Sequence, residues 1–203
     1  MSKELELLKE AVKMLEEKEK SDNAEKVELA TLDWGNTFKL AGHDFVVCEH
    51  DYWEKGYTAV ICKDLWAENV KFGDSRDYNK SNVKAIMDKV AEKIEKEVGE
   101  GNILEHDILL TSLDMQNEFG SCVCKVRPIS FDEAREFNER IVNKELLDWY
   151  WTLTPWSTEE RGWSNSIAVV SPSGGIGGSD YDYGRGVRPF CILKSNIFVS
   201  KGE

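Results

Sequence analysis

Between Trp149 and Ser200 the apolar runs are four residues or shorter, built from aromatic and β-branched residues, and punctuated by Pro155, Pro172, Pro189 and closely spaced glycines. That is the pattern of short strands joined by irregular loops, so the C-terminal quarter is expected to be a sheet edged by decorated loops. The same stretch holds Trp149, Trp151, Trp156 and Trp163 of the seven tryptophans, and Tyr150, Tyr181 and Tyr183 of the six tyrosines. The rest of the chain reads most easily as support for it.

The chain opens differently. Residues 3–20 are strong helix formers with Leu5, Leu8, Val12 and Leu15 at three- and four-residue steps, which predicts an amphipathic helix. Its stripe fits packing on its own domain or a homodimer equally, and a linker closes the segment at residue 26. From Val27 to Trp66, short strands separated by tight turns imply antiparallel pairing, and residues 67–82 read as a polar loop. Asp77 or Ser81 is placed to cap a helix over residues 83–98, striped by Val83, Ile86, Val90, Ile94 and Val98 and ended by Gly99 and Gly101. A strand follows at residues 121–128. Ser130 with Glu133 is a capping-box signature for one helix over residues 131–146. Strands early, helices in the middle and strands late give α+β.

A family resemblance lies in the same C-terminal stretch. Trp149, Trp151 and Pro155, then a small apolar strand closed by the turn at Gly174, then Gly186-Val187-Arg188-Pro189, resemble the end of a bacterial and phage domain family of unassigned function. That family is related to the C-type-lectin-like and formylglycine-generating-enzyme folds. Val187-Arg188-Pro189 is the most specific part, and Leu153-Thr154-Pro155 departs from the family's usual Leu-Arg-Ser-Pro. Segments 37–50 and 124–137 are similar to the family's first hairpin and its strand-then-helix, so the resemblance spans roughly 34–200. It implies a C-type-lectin-like domain over residues 27–203, mixed but mainly antiparallel, and a phage or mobile-element origin.

Composition narrows the function. The chain has 203 residues, 41% of them hydrophobic and 32% charged, which suits one folded domain with an appendage. No apolar run approaches the roughly 20 residues of a bilayer span, and no secretory signal is recognisable, so a cytoplasmic protein is expected. A net charge of -12 argues against direct nucleic-acid or anionic-membrane binding. The five cysteines are odd in number and lack zinc or disulfide spacing, so buried free thiols are expected at Cys48, Cys62, Cys122, Cys124 and Cys191. Formylglycine-generating enzymes use a paired-cysteine copper site, and Cys191 has no second cysteine placed to match it. His43, His50 and His106 fall in no metal or hydrolase motif and read as surface or turn residues.

Residues 174–185 are glycine-rich without a P-loop lysine or a dinucleotide fingerprint, and read as a mobile loop. Its Tyr181 and Tyr183, alternating with Asp180 and Asp182 and followed by Arg185, have the composition of a contact loop, with Trp156 and Trp163 on the same face. An acidic pair alone is not a calcium site, and no cofactor, metal or catalytic residue is expected. Two functions follow. One is a non-enzymatic binding module that holds a protein or glycan ligand through Trp156, Trp163, Asp180, Tyr181, Asp182, Tyr183 and Arg185. The alternative is an acidic inhibitor of a host defence nuclease, mimicking nucleic acid with Glu92, Glu95 and Glu97 on one helix and Glu133, Glu136 and Glu139 on the other.

Overall fold

The structure is a computed structural model and describes Val12 and residues 26–202. The amphipathic N-terminal helix and linker expected over residues 1–26, and the dimer through them, lie outside the described residues apart from Val12 and Lys26.

In chain order the strands are β1 (Lys26–Glu28), β2 (Thr37–Leu40), β3 (His43–His50), β4 (Tyr57–Cys62) and β5 (Ala67–Lys71), followed by helix α1 (Asn82–Val98). Then come β6 (His106–Leu109), β7 (Ser121–Cys124), β8 (Val126–Pro128) and the short helices α2 (Phe131–Glu136) and α3 (Asn138–Ile141). The chain closes with β9 (Tyr150–Pro155), β10 (Ser166–Val170), β11 (Ile176–Asp180), β12 (Gly184–Val187), β13 (Pro189–Lys194) and β14 (Phe198–Lys201). The larger sheet runs β1-β14-β2-β3-β4-β13-β8, the smaller β11-β10-β9-β12-β5, and β6 pairs with β7 alone. Among the described residues every strand pairing is antiparallel except the single parallel bridge of Gly186 to Tyr150. The protein is α+β, as the order of elements implied.

The larger sheet is covered on both faces, which is why its central strands are continuously apolar. Phe45 and Val47 of β3, Val60 and Cys62 of β4, and Cys191 and Leu193 of β13 face the main core, with Val83, Met87, Val90 and Ile94 of α1. Their neighbours Val46, Cys48, Ala59, Ile61, Phe190 and Ile192 face a second core, closed by Ala134, Phe137 and Ile141. Each large side chain so buried is worth about 1.5–3 kcal/mol. The C-terminus is built into this sheet: β14 lies between β1 and β2, and β13 between β4 and β8.

Helix α1 starts where its cap is. Ser81 Oγ accepts from Lys84 N at 2.9 Å, and Gly99 ends the helix at φ +89°. At α2 the Ser130–Glu133 capping box forms in both directions. The single helix expected over residues 131–146 is instead two short ones. Phe137 breaks the run, its ring stacked on Phe190 at 6.3 Å, and Arg188 Nη1 donates to Ile141 O at 2.6 Å at the end of α3. Arg188 also donates from Nε to Cys62 O at 2.5 Å, so the Val-Arg-Pro segment ties the end of β4 to α3 from inside the protein. Residues 67–71, expected in a loop, form β5 because β12 presents them with backbone partners at Gly184 and Arg185. Among the described residues no helix is long and apolar enough to cross a membrane.

Candidate functional site

The glycines of β11 set the geometry of one end of the smaller sheet. Successive strand residues face opposite sides. A Cβ on Gly177 would lie 3.0 Å from the Trp149 ring, and one on Gly178 3.2 Å from the Trp156 ring. Two indoles therefore sit against β11 from its two faces. The segment expected as a mobile loop is a strand, a turn at residues 181–183 and a second strand, because tryptophan fills the space that side chains at these glycines would need.

The turn is anchored at its base. Tyr181 N donates to Asn165 O at 2.8 Å, Gly73 N donates to Tyr181 O at 3.4 Å, and Ser166 Oγ donates to Asp180 Oδ1 at 3.0 Å. These bonds place residues 181–183 beside the 156–165 loop. Behind the 156–165 loop lies Arg76, which no sequence pattern marked. Its guanidinium is buried, donating from Nε to Ser164 O at 2.8 Å, from Nη1 to Ser157 O, and from Nη2 to both carboxylate oxygens of Glu118 at 3.0 and 3.1 Å. Asp114 is a second tie, accepting from Ser112 Oγ at 2.5 Å and Ser157 Oγ at 2.6 Å, with Arg161 Nε at 3.5 Å. Those hydroxyls hold its carboxyl below the usual carboxylate range.

What this scaffold leaves in the open includes three large apolar side chains. Trp163 is 55% exposed, Tyr183 60% and Met115 80%. Met115 was missed by sequence reasoning because a lone Met in a polar segment carries no pattern. Its left-handed backbone, φ +65°, is visible only in the structure.

Of the seven nominated residues, the structure brings Trp156, Trp163, Asp180, Tyr181, Asp182 and Tyr183 to this end. Their roles divide. Trp163, Asp182 and Tyr183 are exposed, whereas Trp156 covers Gly178 and Tyr181 packs against the main core. Arg185 is engaged elsewhere, with Nε donating to Ser179 Oγ at 3.0 Å and Nη1 paired with Asp148 at 3.3 Å.

The other suggestive groups are occupied within the fold. His106, expected at the surface, is buried: Arg127 Nε donates to its Nε2 at 2.9 Å, and Nδ1 faces Leu104 O at 3.2 Å. Burial first, then the Arg127 charge, lower its pKa to about 4, so it is a neutral acceptor. Both nitrogens of His50 are likewise bonded, to Thr58 Oγ1 at 2.9 Å and Leu32 O at 2.8 Å, although an open cleft of about 370 Å³ adjoins it. All five cysteines are free and buried, and burial pushes the Cys48 and Cys62 thiols up to about 12. Thiols held in that form are poor nucleophiles. Among the described residues no group of three His, Cys, Asp or Glu side chains is placed to hold a metal ion.

Half of the carboxylates nominated for nucleic-acid mimicry are also committed. Glu95 pairs with Lys125 at 2.7 Å, Glu97 accepts from Ala41 N at 2.7 Å, and Glu133 is buried against Arg127 at 2.5 Å. Of the six, Glu92, Glu136 and Glu139 are exposed without such a partner among the described residues.

No family model, no curated protein and no solved structure matches the chain. A functional reading therefore rests on the geometry of its own loops.

Proposed function

We propose that the protein is a non-enzymatic binding module, on a scaffold of the C-type-lectin-like kind, that engages a protein or glycan ligand through the loop end of its smaller sheet. The observation that carries this reading is Arg76. A buried guanidinium ties together two loops, 112–118 and 157–164, that have little apolar interior of their own, while Met115, Trp163 and Tyr183 stay outside. Holding large aromatics in one place before a ligand arrives lowers the ordering cost of binding. Tyrosine and tryptophan supply contact area with few rotatable bonds, and function on such scaffolds resides in their loops.

The test is proximity labelling in the full chain. A photo-crosslinking residue at position 183 is expected to give discrete adducts in the producing cells, or the protein is expected to give signals on a glycan array. Either result should be lost on Trp163→Ala. A probe at Tyr57, in β4 of the larger sheet, serves as control. Adducts and array signals no stronger than that control would refute the reading.

A further inference from the structure

The charges around Trp163, Tyr183 and Met115 do not balance. Segments 71–80, 112–120, 156–166 and 180–183 build this end, and their only cations are Lys71, Arg76, Lys80 and Arg161. Each is matched by a carboxylate of the same segments: Lys71 by Asp74 at 2.9 Å, Arg76 by Glu118 at 3.0 Å, Lys80 by Asp77 at 3.1 Å and Arg161 by Asp114 at 3.5 Å. Four carboxylates remain. Asp180 takes the Ser166 hydroxyl, while Glu159, Glu160 and Asp182 are exposed and have no ion-pair partner among the described residues.

The exposed indoles make a second, independent contrast. Trp34 is 54% exposed and carries the Arg140 guanidinium 4.4 Å from its ring centroid. Trp53, 46% exposed, lies against the His106 ring at 4.8 Å. The half-buried Trp66 takes Lys93 at 4.9 Å and His43 at 4.0 Å from its ring centroid. Trp163 and Tyr183 have neither a cation nor a ring against them among the described residues. A π-face attracts cations electrostatically, and a rim of carboxylates adds to that attraction.

Resting on the binding-module reading, we propose that this surface binds a cationic protein segment. Arginine or lysine stems lie along Trp163, Tyr183 and Met115, and their charged heads meet Glu159, Glu160 and Asp182. Arginine is favoured over lysine, because a planar guanidinium can stack on an indole while bonding a carboxylate in its own plane.

Calorimetric titration of the full chain tests this with an alternating Arg-Leu peptide, its Lys-Leu and Glu-Leu counterparts, and maltohexaose. The Arg-Leu peptide is expected to bind, Lys-Leu more weakly, and the other two not at all. Trp163→Ala with Tyr183→Ala should weaken Arg-Leu binding about tenfold or more, as loss of interface aromatics does. Glu159→Gln, Glu160→Gln and Asp182→Asn together should weaken it to a similar degree and flatten its salt dependence. Glu92→Gln, Glu136→Gln and Glu139→Gln remove the same charge from exposed positions elsewhere and should change it less than about twofold. Equal weakening by the two triple variants would mean diffuse attraction to an acidic protein, and would overturn the proposal. So would no binding of the Arg-Leu peptide. If that peptide fails while position-183 adducts or array signals persist and depend on Trp163, the cationic partner is wrong and the binding module stands. If those are absent too, both fall.

Discussion

Arg127 and Arg76 are both buried guanidiniums chelated by a glutamate, yet they hold opposite kinds of structure. Arg127 reaches partners close by. It bonds Glu133, six residues on, at 2.5 and 2.6 Å, and His106 on β6, while its guanidinium lies 4.7 Å from the Phe190 centroid in the second core. Arg76 reaches across the chain to Glu118, Ser157 and Ser164, and its glutamate is part exposed at 29%. The first completes an interior that hydrophobic packing has already closed. The second stands in for an interior that two polar loops do not have, which lets large apolar side chains be held in position without being buried.

The largest expected effect is therefore at Arg127. Arg127→Ala leaves Glu133, whose second oxygen also takes the Ser130 N–H at 2.8 Å, as a buried carboxylate without its cation. Breaking such a pair costs about 3–5 kcal/mol, which urea unfolding would read directly. Arg127→Met with Glu133→Leu should cost less than the single change, since an apolar pair leaves no buried charge. A double variant as unstable as Arg127→Ala would show that the two ends are less different than claimed.

Acid should act on the same cluster next. Burial alone would raise the Glu133 carboxyl, but the charge and hydrogen bonds of Arg127, with those of Ser130, outweigh it and hold it at about 2. Its contribution is thus present above the usual carboxylate range and lost as the pH falls from about 4.5 toward 2. Neutral His106 works in the same direction: its folded-state pKa is lowered from 6.5 to about 4, so stability declines as the pH falls through that interval. Denaturant midpoints measured from pH 7 down to 3 should fall steadily, and His106→Gln should remove most of the slope above about pH 4.5, where Glu133 does not yet contribute. A flat profile would contradict the assigned burial of both groups.

How much of this was legible depended on whether the cause was local. Helix α1 could be read because its start, stripe and stop are all within it, at Ser81, Val83 to Ile94 and Gly99. The capping box at Ser130 was legible for the same reason. Strand β5 was not, since Ala67–Lys71 looks polar and becomes a strand only through its ladder with β12. His106 read as a surface or turn residue, Glu133 as a capping-box acid and Arg76 as nothing in particular, because their partners lie 21, 81 or 88 residues away or depend on an arginine that is itself buried. At the candidate surface the aromatics were visible in the sequence. The division between Trp156, which supports, and Trp163, which is presented, was not, because it depends on which indole meets a glycine on β11.

Arg76→Ala should have a smaller and more local effect than Arg127→Ala. The lost bonds end on loop carbonyls and on a glutamate that can turn to water, so a cost of roughly 1–3 kcal/mol is expected. Its signature is in hydrogen exchange. Amides of residues 112–118 and 157–165 should lose protection while those of β3, β4 and β13 keep theirs. Uniform loss across the large sheet would show that Arg76 belongs to the core after all.

The smallest effect is expected where the exposed area is largest. Trp163 and Tyr183 are each more than half exposed and make no ring or cation contact among the described residues, so truncating either removes little packing. Trp163→Ala and Tyr183→Ala should each shift stability by no more than about 0.5 kcal/mol, as surface substitutions do. Trp156→Ala supplies the scale, because that indole, just past the end of β9, covers Gly178 and its removal opens a gap against β11. It should cost on the order of 1–2 kcal/mol more than Trp163→Ala. Thermal melts of the three variants decide the point. If Trp163→Ala proves as damaging as Trp156→Ala, the exposed indole is holding the loop together, and Arg76 is not sufficient to present it.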